Sequence, residues 1–324
     1  MHEDNQCIRW CAGLLAAVIV FRLFGSGIAT FLCRPSTFSA IMYLETGRIV
    51  RPWQGLLAPR DPSQEIPRWA NATPATVSAQ DAQAVEVTYF CDLRPDIEAL
   101  AAQPLNWNLA DGQPAVLILH SHATECYEKN GEDYIESSPY HTSDTRYNMI
   151  SVGDLVAEIL EKNGIRVIHD RTLHDADSYE DAYDKSRDSV QAYLSQYPTI
   201  RLVLDLHRDA ADRDGVQIVT TCNAGGTESA KLMLVVGSNA SGYDHPYWLD
   251  NLSLGVKLQA IMGSRYPELF RPLQLSAGRF NQDLFPGYLL VEVGTAGNTR
   301  EQAYQAATLL AQGIVDIAYG TRSS

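Results

Sequence analysis

Five side chains with acid–base or metal-binding chemistry stand at or near the ends of three apolar runs in the sequence. They are His120, His122, Glu125, His207 and Glu292. Imidazole and carboxylate groups are usual ligands of a catalytic Zn²⁺ ion, which takes three protein ligands and keeps a fourth position for water. The pattern therefore predicts a zinc-dependent hydrolytic site with His122, Glu125 and His207 as metal ligands and Glu292 as the general base.

The first pair of ligands rests on a short spacing. His122-Ala-Thr-Glu125 is an H-x-x-E pair, as in zinc carboxypeptidases, and this spacing lets an imidazole and a carboxylate converge on one cation. His120 competes with His122 because it also stands at the end of the apolar run. The alternative role of His120 is structural, with its ring donating a hydrogen bond to a carbonyl or to a neighbour of a ligand.

The neighbours of His207 and Glu292 support the same chemistry. Asp205 is predicted to orient His207, and Arg208 is predicted to stabilise charge during the reaction or to bind a carboxylate. Glu292 lies inside the apolar run 289–293, where an unpaired carboxylate is costly to bury. Burial would raise the pKa of Glu292 and suit proton transfer near neutral pH, whereas the alternative is a structural buried salt bridge.

A polar cluster precedes the run that carries Glu292. It contains Arg279, Asn281 and Asp283, and we predict that it forms a substrate-facing loop. A turn that only satisfies its own backbone would have the same composition.

These residues need a scaffold that brings distant strand ends together. From residue 111 onwards, short apolar runs typical of buried strands alternate with segments of helical periodicity. The expected strands are 116–119, 165–168, 202–206, 216–220, 232–236 and 288–293, and the expected helices begin near residues 151, 179, 246 and 300. This alternation predicts an α/β fold, a three-layer α/β/α sandwich with a mostly parallel sheet. Ligands of such sheets bind at the carboxyl ends of the strands, where the histidines and carboxylates stand.

The first residues of the chain indicate a membrane segment. Residues 10–33 are apolar and about the length of a bilayer span, although Arg22 interrupts them. Because the apolar stretch resumes after Arg22, we expect an uncleaved N-terminal membrane anchor over residues 1–34. Frequent prolines predict an extracytoplasmic linker and irregular region over 35–110, within which the alternation over 85–91 indicates a small strand. The zinc-dependent catalytic domain is expected at 111–324. The expected location is the cell membrane, with a single N-terminal span and the catalytic domain outside the cytoplasm.

The overall charge argues against one class of partner. The 324 residues include 39 acidic and 25 basic side chains, which give a formal net charge of −14. Such a chain repels phosphate backbones, so no nucleic-acid partner is expected. The six cysteines follow neither the spacing of zinc-binding pairs nor that of a disulfide-rich scaffold. Cys126, directly after Glu125, is interpreted as a small buried residue.

Five segments in the expected order resemble a known protein family. They are HSHATECY (120–127), the stretch 147–175, DLHRDA (205–210), FNQDL (280–284) and VEVGTAGNT (291–299). Together they resemble the stage II sporulation protein P family over roughly residues 110–318. Its members are zinc-dependent cell-wall amidases of endospore-forming bacteria that act in engulfment.

The resemblance implies an amidase-like fold and a peptidoglycan substrate, cut at the amide between N-acetylmuramic acid and the L-alanine of the stem peptide. It also implies a second, endopeptidase activity on peptide cross-links and a partner, stage II sporulation protein D, at the engulfing membrane. In other amidases of this kind, a carboxylate just before the first helix is the second zinc ligand. Asp144 or Glu136 could fill that position here, which would leave Glu125 as a neighbour of the ligands.

Residue chemistry alone indicates a zinc-dependent amide hydrolase outside the cytoplasm, and two other functions remain open. A metallocarboxypeptidase or wall endopeptidase would need a basic pocket for a terminal carboxylate, for which Arg208 and Arg279 are the candidates. A non-catalytic wall-binding scaffold would hold no stoichiometric zinc and would tolerate the loss of Glu292.

Overall fold

A central β-sheet runs through the part of the chain that the computed structural model describes, residues 77–105 and 107–320. The strands are β1 (Val87–Phe90), β2 (Val116–Leu119), β3 (Val167–His169), β4 (Leu202–Asp209), β5 (Asp212–Arg213), β6 (Val216–Gln217), β7 (Thr221–Ala224), β8 (Thr227–Ala230), β9 (Leu232–Val236), β10 (Leu273–Ser276) and β11 (Tyr288–Thr295). The helices are α1 (Ala79–Gln83), α2 (Ile97–Ala102), α3 (Met149–Lys162), α4 (Ala182–Gln196), α5 (Trp248–Arg265) and α6 (Arg300–Tyr319), and a 3-10 turn spans Gln282–Leu284.

Seven of these strands form the main sheet in the order β1-β10-β9-β11-β4-β2-β3. Every neighbouring pair is parallel except β9 and β11, which are antiparallel. The prediction of an α/β fold with a mostly parallel sheet is therefore confirmed. The remaining strands pair as two small antiparallel hairpins, β5–β6 and β7–β8.

Alternating side chains along the strands divide the core between the two faces of the sheet. On β2, Val116 and Ile118 belong to the core that also contains residues of α3, α5 and α6. Leu117 and Leu119 belong to a second core, into which α4 places Val190. Strands that are apolar on both faces must be covered on both faces, and the helices form the outer layers of the sandwich.

The segment before residue 111 contributes to the same sheet. The sequence predicts an irregular linker there with a small strand over 85–91. The structure places β1 within that range and pairs it with β10 at the edge of the main sheet, so this segment belongs to the domain and is not only a linker. The side chains of Ser78 and Asp96 cap α1 and α2 by accepting hydrogen bonds from backbone N–H groups. Ser253 and Lys257 of α5 then donate to carbonyls at the end of α2, so the early helices are held against the domain.

Two other elements differ from the sequence-based expectation. The first long helix begins at Met149 instead of near residue 151, because the side chain of Asn148 accepts a hydrogen bond from the Ile150 N–H at 3.1 Å and caps it. The predicted strand 216–220 contains only the two residues of β6, and a separate strand starts at Thr221.

The predicted membrane anchor, residues 1–34, lies outside the described residues, as does the predicted linker up to residue 76. In the described ranges, no helix combines the length and apolar character needed to cross a bilayer.

Candidate functional site

The carboxyl ends of β2, β4 and β11 meet at one edge of the sheet. Asp205 of β4 stands level with Leu119 of β2 and with Leu290 of β11, and two residues further along, His207 stands level with Glu292. Because side chains alternate with a period of two, Asp205, His207 and Glu292 project to the same face of the sheet. The sheet register thus brings together residues of β4 and β11 that lie far apart in the sequence.

Asp205 orients His207, as the sequence predicted. The Asp205 carboxylate is fully buried and accepts hydrogen bonds from Ser121 N–H at 2.8 Å and Ser121 Oγ at 2.6 Å. His207 Nε2 lies 2.8 Å from Asp205 Oδ1, so Nε2 carries the donated hydrogen. Burial lowers the pKa of His207, but the adjacent Asp205 outweighs burial and raises that pKa to about 10. The second ring nitrogen, Nδ1, lies 3.7 Å from Glu125 Oε2.

His122 follows β2 in a turn and lies in an aromatic cluster. Its ring stacks on Tyr179 with a centroid distance of 3.9 Å and stands edge-on to Tyr183 and His207, each at 5.4 Å. His122 Nδ1 is buried and has no hydrogen-bond partner among the described residues. Burial, together with the charge of His207, lowers the pKa of His122 to about 3, so its imidazole is neutral and a lone pair is available.

Arg208 holds Glu125 in place. Glu125 Oε2 accepts a hydrogen bond from the Arg208 N–H at 3.1 Å, and Oε1 accepts one from Arg208 Nη1 at 3.4 Å. The same buried guanidinium donates to the carbonyls of Cys126 at 3.1 Å and Tyr140 at 2.9 Å. Arg208 binds a carboxylate, as predicted, but the carboxylate belongs to this chain. These contacts make Arg208 a positioning residue and do not support the predicted catalytic role.

Glu292 has an unpaired oxygen beside this cluster. Its side chain is half-buried, and Oε2 is buried without a hydrogen-bond partner in the described part of the chain. Burial raises the pKa of Glu292 to about 8, with His207 opposing this shift and Glu125 adding to it. An unpaired oxygen does not fit the alternative of a structural salt bridge. It fits a group that exchanges protons with a substrate or water.

His120 lies on the opposite face of the sheet from His207. Its Nδ1 lies 2.9 Å from the Leu206 carbonyl, and its Nε2 lies 2.9 Å from His169 Nε2. Both ring nitrogens are therefore used, so the role of an alternative metal ligand is not supported and the structural role fits. The physical reason is alternation along β2, which places His120 with Ile118 on the side of α3.

The contact of α3 with His120 and His169, whose rings meet edge to face, gives a stability prediction. A Cβ atom on Gly153 would lie 2.5 Å from His169 Nε2 and 2.6 Å from His120 Nε2. Gly153→Ala is therefore expected to lower the free energy of unfolding by about 1–3 kcal/mol, measured by urea denaturation. The matched control is Gly263→Ala in α5, where no heavy atom lies within 4 Å of the added Cβ. Helix propensity predicts a gain of up to about 1 kcal/mol for the control, and equal stabilities of the two variants would contradict the packing.

The two alternative carboxylates have local partners in the loop after Glu125. Asp144 accepts a hydrogen bond from Arg146 Nε at 2.9 Å. Glu136 accepts one from the Tyr140 N–H at 3.3 Å and lies 3.8 Å from Lys129 Nζ. Glu125 is the carboxylate that approaches His207, so it remains the preferred ligand among the three.

The predicted substrate loop is mostly occupied with internal contacts. Asn281 Nδ2 donates to the Tyr183 carbonyl at 2.7 Å, and Asp283 accepts two hydrogen bonds from Arg187 at 2.9 and 2.7 Å. Arg279 has a side chain 41% exposed, and its Nη1 lies 3.9 Å from Asp283 Oδ2. Asn281 and Asp283 therefore tie the loop to α4, and only Arg279 keeps a free surface for a substrate.

One residue of the site was not predicted. His141 lies in the polar loop between the H-x-x-E pair and α3, and its sequence context indicates an ordinary solvated or hydrogen-bonded histidine. Its Nε2 is buried and has no hydrogen-bond partner in the described ranges. No sequence spacing identifies His141 as a site residue, because it lies next to Glu125 only through an antiparallel backbone bridge between the two loop segments.

The donor types fit a zinc ion, although the described residues do not present a complete cluster. His207 Nδ1 and Glu125 Oε2 lie 3.7 Å apart, against about 3.3 Å for two ligands of a tetrahedral zinc ion. His122 Nδ1, which has no hydrogen-bond partner in the described ranges, is a further neutral nitrogen that could bind zinc. Within residues 77–105 and 107–320, however, no three His, Cys, Asp or Glu side chains are arranged to hold a metal ion. Zinc binding by His122, Glu125 and His207 therefore stays a prediction.

Several solved structures align with the domain. The amidase AmiC2 of Nostoc punctiforme is 13% identical, with 62% of this chain and 96% of that chain covered and a TM-score of 0.36. The N-acetylmuramoyl-L-alanine amidase of Clostridium difficile 630 is 17% identical, with 66% and 100% covered and a TM-score of 0.37. The CwlD amidase of Clostridioides difficile, solved in complex with the GerS lipoprotein, is 12% identical, with 63% and 95% covered and a TM-score of 0.38. These TM-scores are all below 0.5.

The sequence comparisons identify the family. Stage II sporulation protein P of Bacillus subtilis (strain 168) is 28% identical over 207 residues, which cover 60% of this chain and 49% of that protein. The matched part of this chain thus spans about half the length of that relative. The family model of Stage II sporulation protein P (SpoIIP) matches residues 63–315, well over half of the chain. The chain belongs to the stage II sporulation protein P family.

Proposed function

We propose that this chain is a zinc-dependent N-acetylmuramoyl-L-alanine amidase. It would hydrolyse the amide that joins the lactyl group of N-acetylmuramic acid to the L-alanine of the stem peptide in peptidoglycan. The observation that carries the proposal is the convergence of His122, Glu125 and His207 beside the unpaired carboxylate of Glu292. Membership of the SpoIIP family supports the wall substrate.

Each residue of the site has a part in this reaction. A zinc ion held by His122, Glu125 and His207 would supply Lewis-acid polarisation of the amide carbonyl and a water of lowered pKa. Glu292 Oε2 takes a proton from the attacking water and returns it to the leaving amine nitrogen. A pKa raised to about 8 by burial suits transfer in both directions near neutral pH.

The surrounding contacts position these groups. Asp205 holds His207 by its Nε2 and leaves Nδ1 turned towards Glu125. Arg208 fixes both oxygens of Glu125 through its backbone N–H and its guanidinium. The products are a free lactyl carboxylate on the glycan and a free amine on the stem peptide.

The alternative functions find less support in the site. A metallocarboxypeptidase needs a free cation for a terminal carboxylate, and Arg208 is buried against Glu125 and two carbonyls. Of the two predicted candidates, Arg279 keeps an exposed guanidinium. A non-catalytic scaffold has no use for the buried, unpaired oxygen of Glu292, which costs folding free energy without a function.

The proposal includes a place and a context of action. The apolar segment 10–33 supports an N-terminal anchor over residues 1–34 in the cell membrane, with the catalytic domain outside the cytoplasm. Family membership supports action on the wall during engulfment, with stage II sporulation protein D as a partner and endopeptidase cleavage of cross-links as a second activity. Nucleic acid is not a proposed partner, since the net charge of −14 disfavours it.

Digestion of purified sacculi tests the reaction. The full chain loaded with zinc is expected to release intact stem peptides with a free L-alanine amine and to leave glycan strands, as resolved by mass spectrometry. A chelator is expected to abolish the release, and added zinc to restore it. Cut peptides on intact muropeptides would favour the endopeptidase. Release that persists in chelator would exclude a zinc mechanism.

A further inference from the structure

His141 lies beside Glu125 through an antiparallel bridge in the loop that precedes α3. The Cys126 N–H donates to the Tyr140 carbonyl at 2.9 Å next to this bridge. Residues directly opposite each other in an antiparallel pair have Cβ atoms about 4.5–5.5 Å apart and project to the same side. The His141 side chain therefore leaves the backbone on the same side as Glu125, whose carboxylate approaches His207.

A backbone contact fixes which nitrogen of His141 can accept a hydrogen bond. Nδ1 lies 2.8 Å from the Pro139 carbonyl, which only accepts, so Nδ1 carries the hydrogen. In the neutral ring, Nε2 then carries the lone pair. Nε2 is buried and has no hydrogen-bond partner in the described part of the chain. A buried acceptor without a partner destabilises the fold, and a hydrogen-bond donor from a bound molecule would remove this penalty.

Tyr179 provides an apolar surface next to this acceptor. Its ring is stacked on His122 and stands perpendicular to the His141 ring, with centroids 6.0 Å apart. Tyr179 is nevertheless 56% exposed, so part of its ring is open to solvent. As an exposed side chain it can turn without moving the sheet. A hydrogen-bond acceptor beside an exposed aromatic ring matches a flat group with one N–H donor.

We propose that His141 and Tyr179 form a substrate subsite for a secondary amide. His141 Nε2 accepts the hydrogen bond of the amide N–H, and the plane of the amide packs on the ring of Tyr179. The inference rests on the proposed function for the nature of the substrate. Peptidoglycan offers this group from two sources, the acetamido substituents of the glycan and the peptide bonds of the stem.

Calorimetric binding to an inactive background tests the subsite. The protein is the full, zinc-loaded chain with Glu292→Gln, and the probe is a disaccharide tripeptide muropeptide. His141→Phe keeps a ring and removes the acceptor, and it is expected to raise Kd about 3- to 10-fold, the worth of one neutral hydrogen bond. His141→Gln returns an acceptor near the position of Nε2 and is expected to restore most of the affinity. Zinc content is expected to be equal in all variants.

Two more probes identify the source of the amide. If the loss caused by His141→Phe disappears with a muropeptide lacking the acetyl group on muramic acid, the acetamido N–H is the donor. If the loss persists with the stem peptide alone, the donor is a peptide N–H. Unchanged Kd values for His141→Phe with every probe would overturn the proposal. Loss of bound zinc in His141→Phe would also overturn it, because His141 would then be a metal ligand.

The experiments distinguish failure of the proposed subsite from failure of the proposed amidase activity. A chain that cuts no wall amide but binds these probes in a His141-dependent manner would refute the amidase and leave the subsite. A chain that cuts the lactyl amide with the same KM before and after His141→Phe would refute the subsite and leave the amidase. Ile135→Ala, an exposed change on the same loop, is the control for general loop damage.

Discussion

Glu292→Gln is expected to lower the rate of amide hydrolysis by about 100- to 10,000-fold, the usual contribution of a positioned general base. The amide side chain has the same shape but cannot take a proton from water. Since burial raises the pKa of Glu292 to about 8, the free carboxyl group is already mostly neutral at pH 7, and replacing it with a neutral amide is not expected to destabilise the fold. Initial rates on purified sacculi, together with urea denaturation and zinc content, measure the effect.

The control for this change is Glu158→Gln. It removes the same charge from the exposed surface of α3, where Glu158 pairs with Lys162 one turn away. Its expected activity is that of the unmodified chain, because exposed ion pairs contribute little. A Glu292→Gln variant that retains most of its activity with full zinc content would show that another group takes the proton.

His122→Ala is expected to abolish stoichiometric zinc binding, and activity with it. The change removes a buried neutral imidazole whose Nδ1 has no hydrogen-bond partner in the described ranges. A proposed zinc ligand is therefore lost, while no hydrogen bond is broken at that atom. Loss of one of three protein ligands commonly costs several powers of ten in metal affinity. Zinc retained after dialysis, measured by atomic emission, gives the answer directly.

The comparison for this variant is His245→Ala. His245 is also buried, and neither of its ring nitrogens has a hydrogen-bond partner within the described residues. It lies outside the site proposed here, so its replacement is expected to leave one zinc ion bound per chain. Equal zinc content in the two variants would remove His122 from the set of ligands.

The positions of the catalytic candidates were predictable because each stands in or just after an apolar run. β4 and β11 are mostly apolar and carry polar side chains towards their carboxyl ends, which is typical of buried parallel strands that end at a site. Parallel pairing then brings His207 level with Glu292, although the register itself depends on contacts that the sequence does not show.

The choice between His120 and His122 could not be made from spacing. Because side chains alternate along β2, His120 and Leu119 project to opposite faces of the sheet. The spacing alone does not show which of these faces carries the site. The site faces the side of Leu119, together with α4, and that choice depends on packing between distant segments. The alternation of side chains does not determine the direction of His122, because His122 lies in the turn after the strand.

A charged residue near a site can either bind a substrate or pair with another residue of the chain, and the sequence alone does not distinguish these two roles. Asp283 pairs with Arg187, which lies 96 residues away in the chain. Arg208 pairs with Glu125 across 83 residues. Both were predicted to act on a substrate, yet their partners belong to this chain. The pairing of the short edge strand β1 with β10 was not predictable for a related reason, since β10 lies far along the chain.

Anomalous diffraction at the zinc edge from crystals of the zinc-loaded full chain would locate the proposed metal ion. We expect one peak, about 2.0–2.3 Å from a ring nitrogen of His122, a ring nitrogen of His207 and an oxygen of Glu125, with Glu292 beside it and not coordinated. A peak bound by other residues, or no peak in a chain that hydrolyses sacculi, would contradict it.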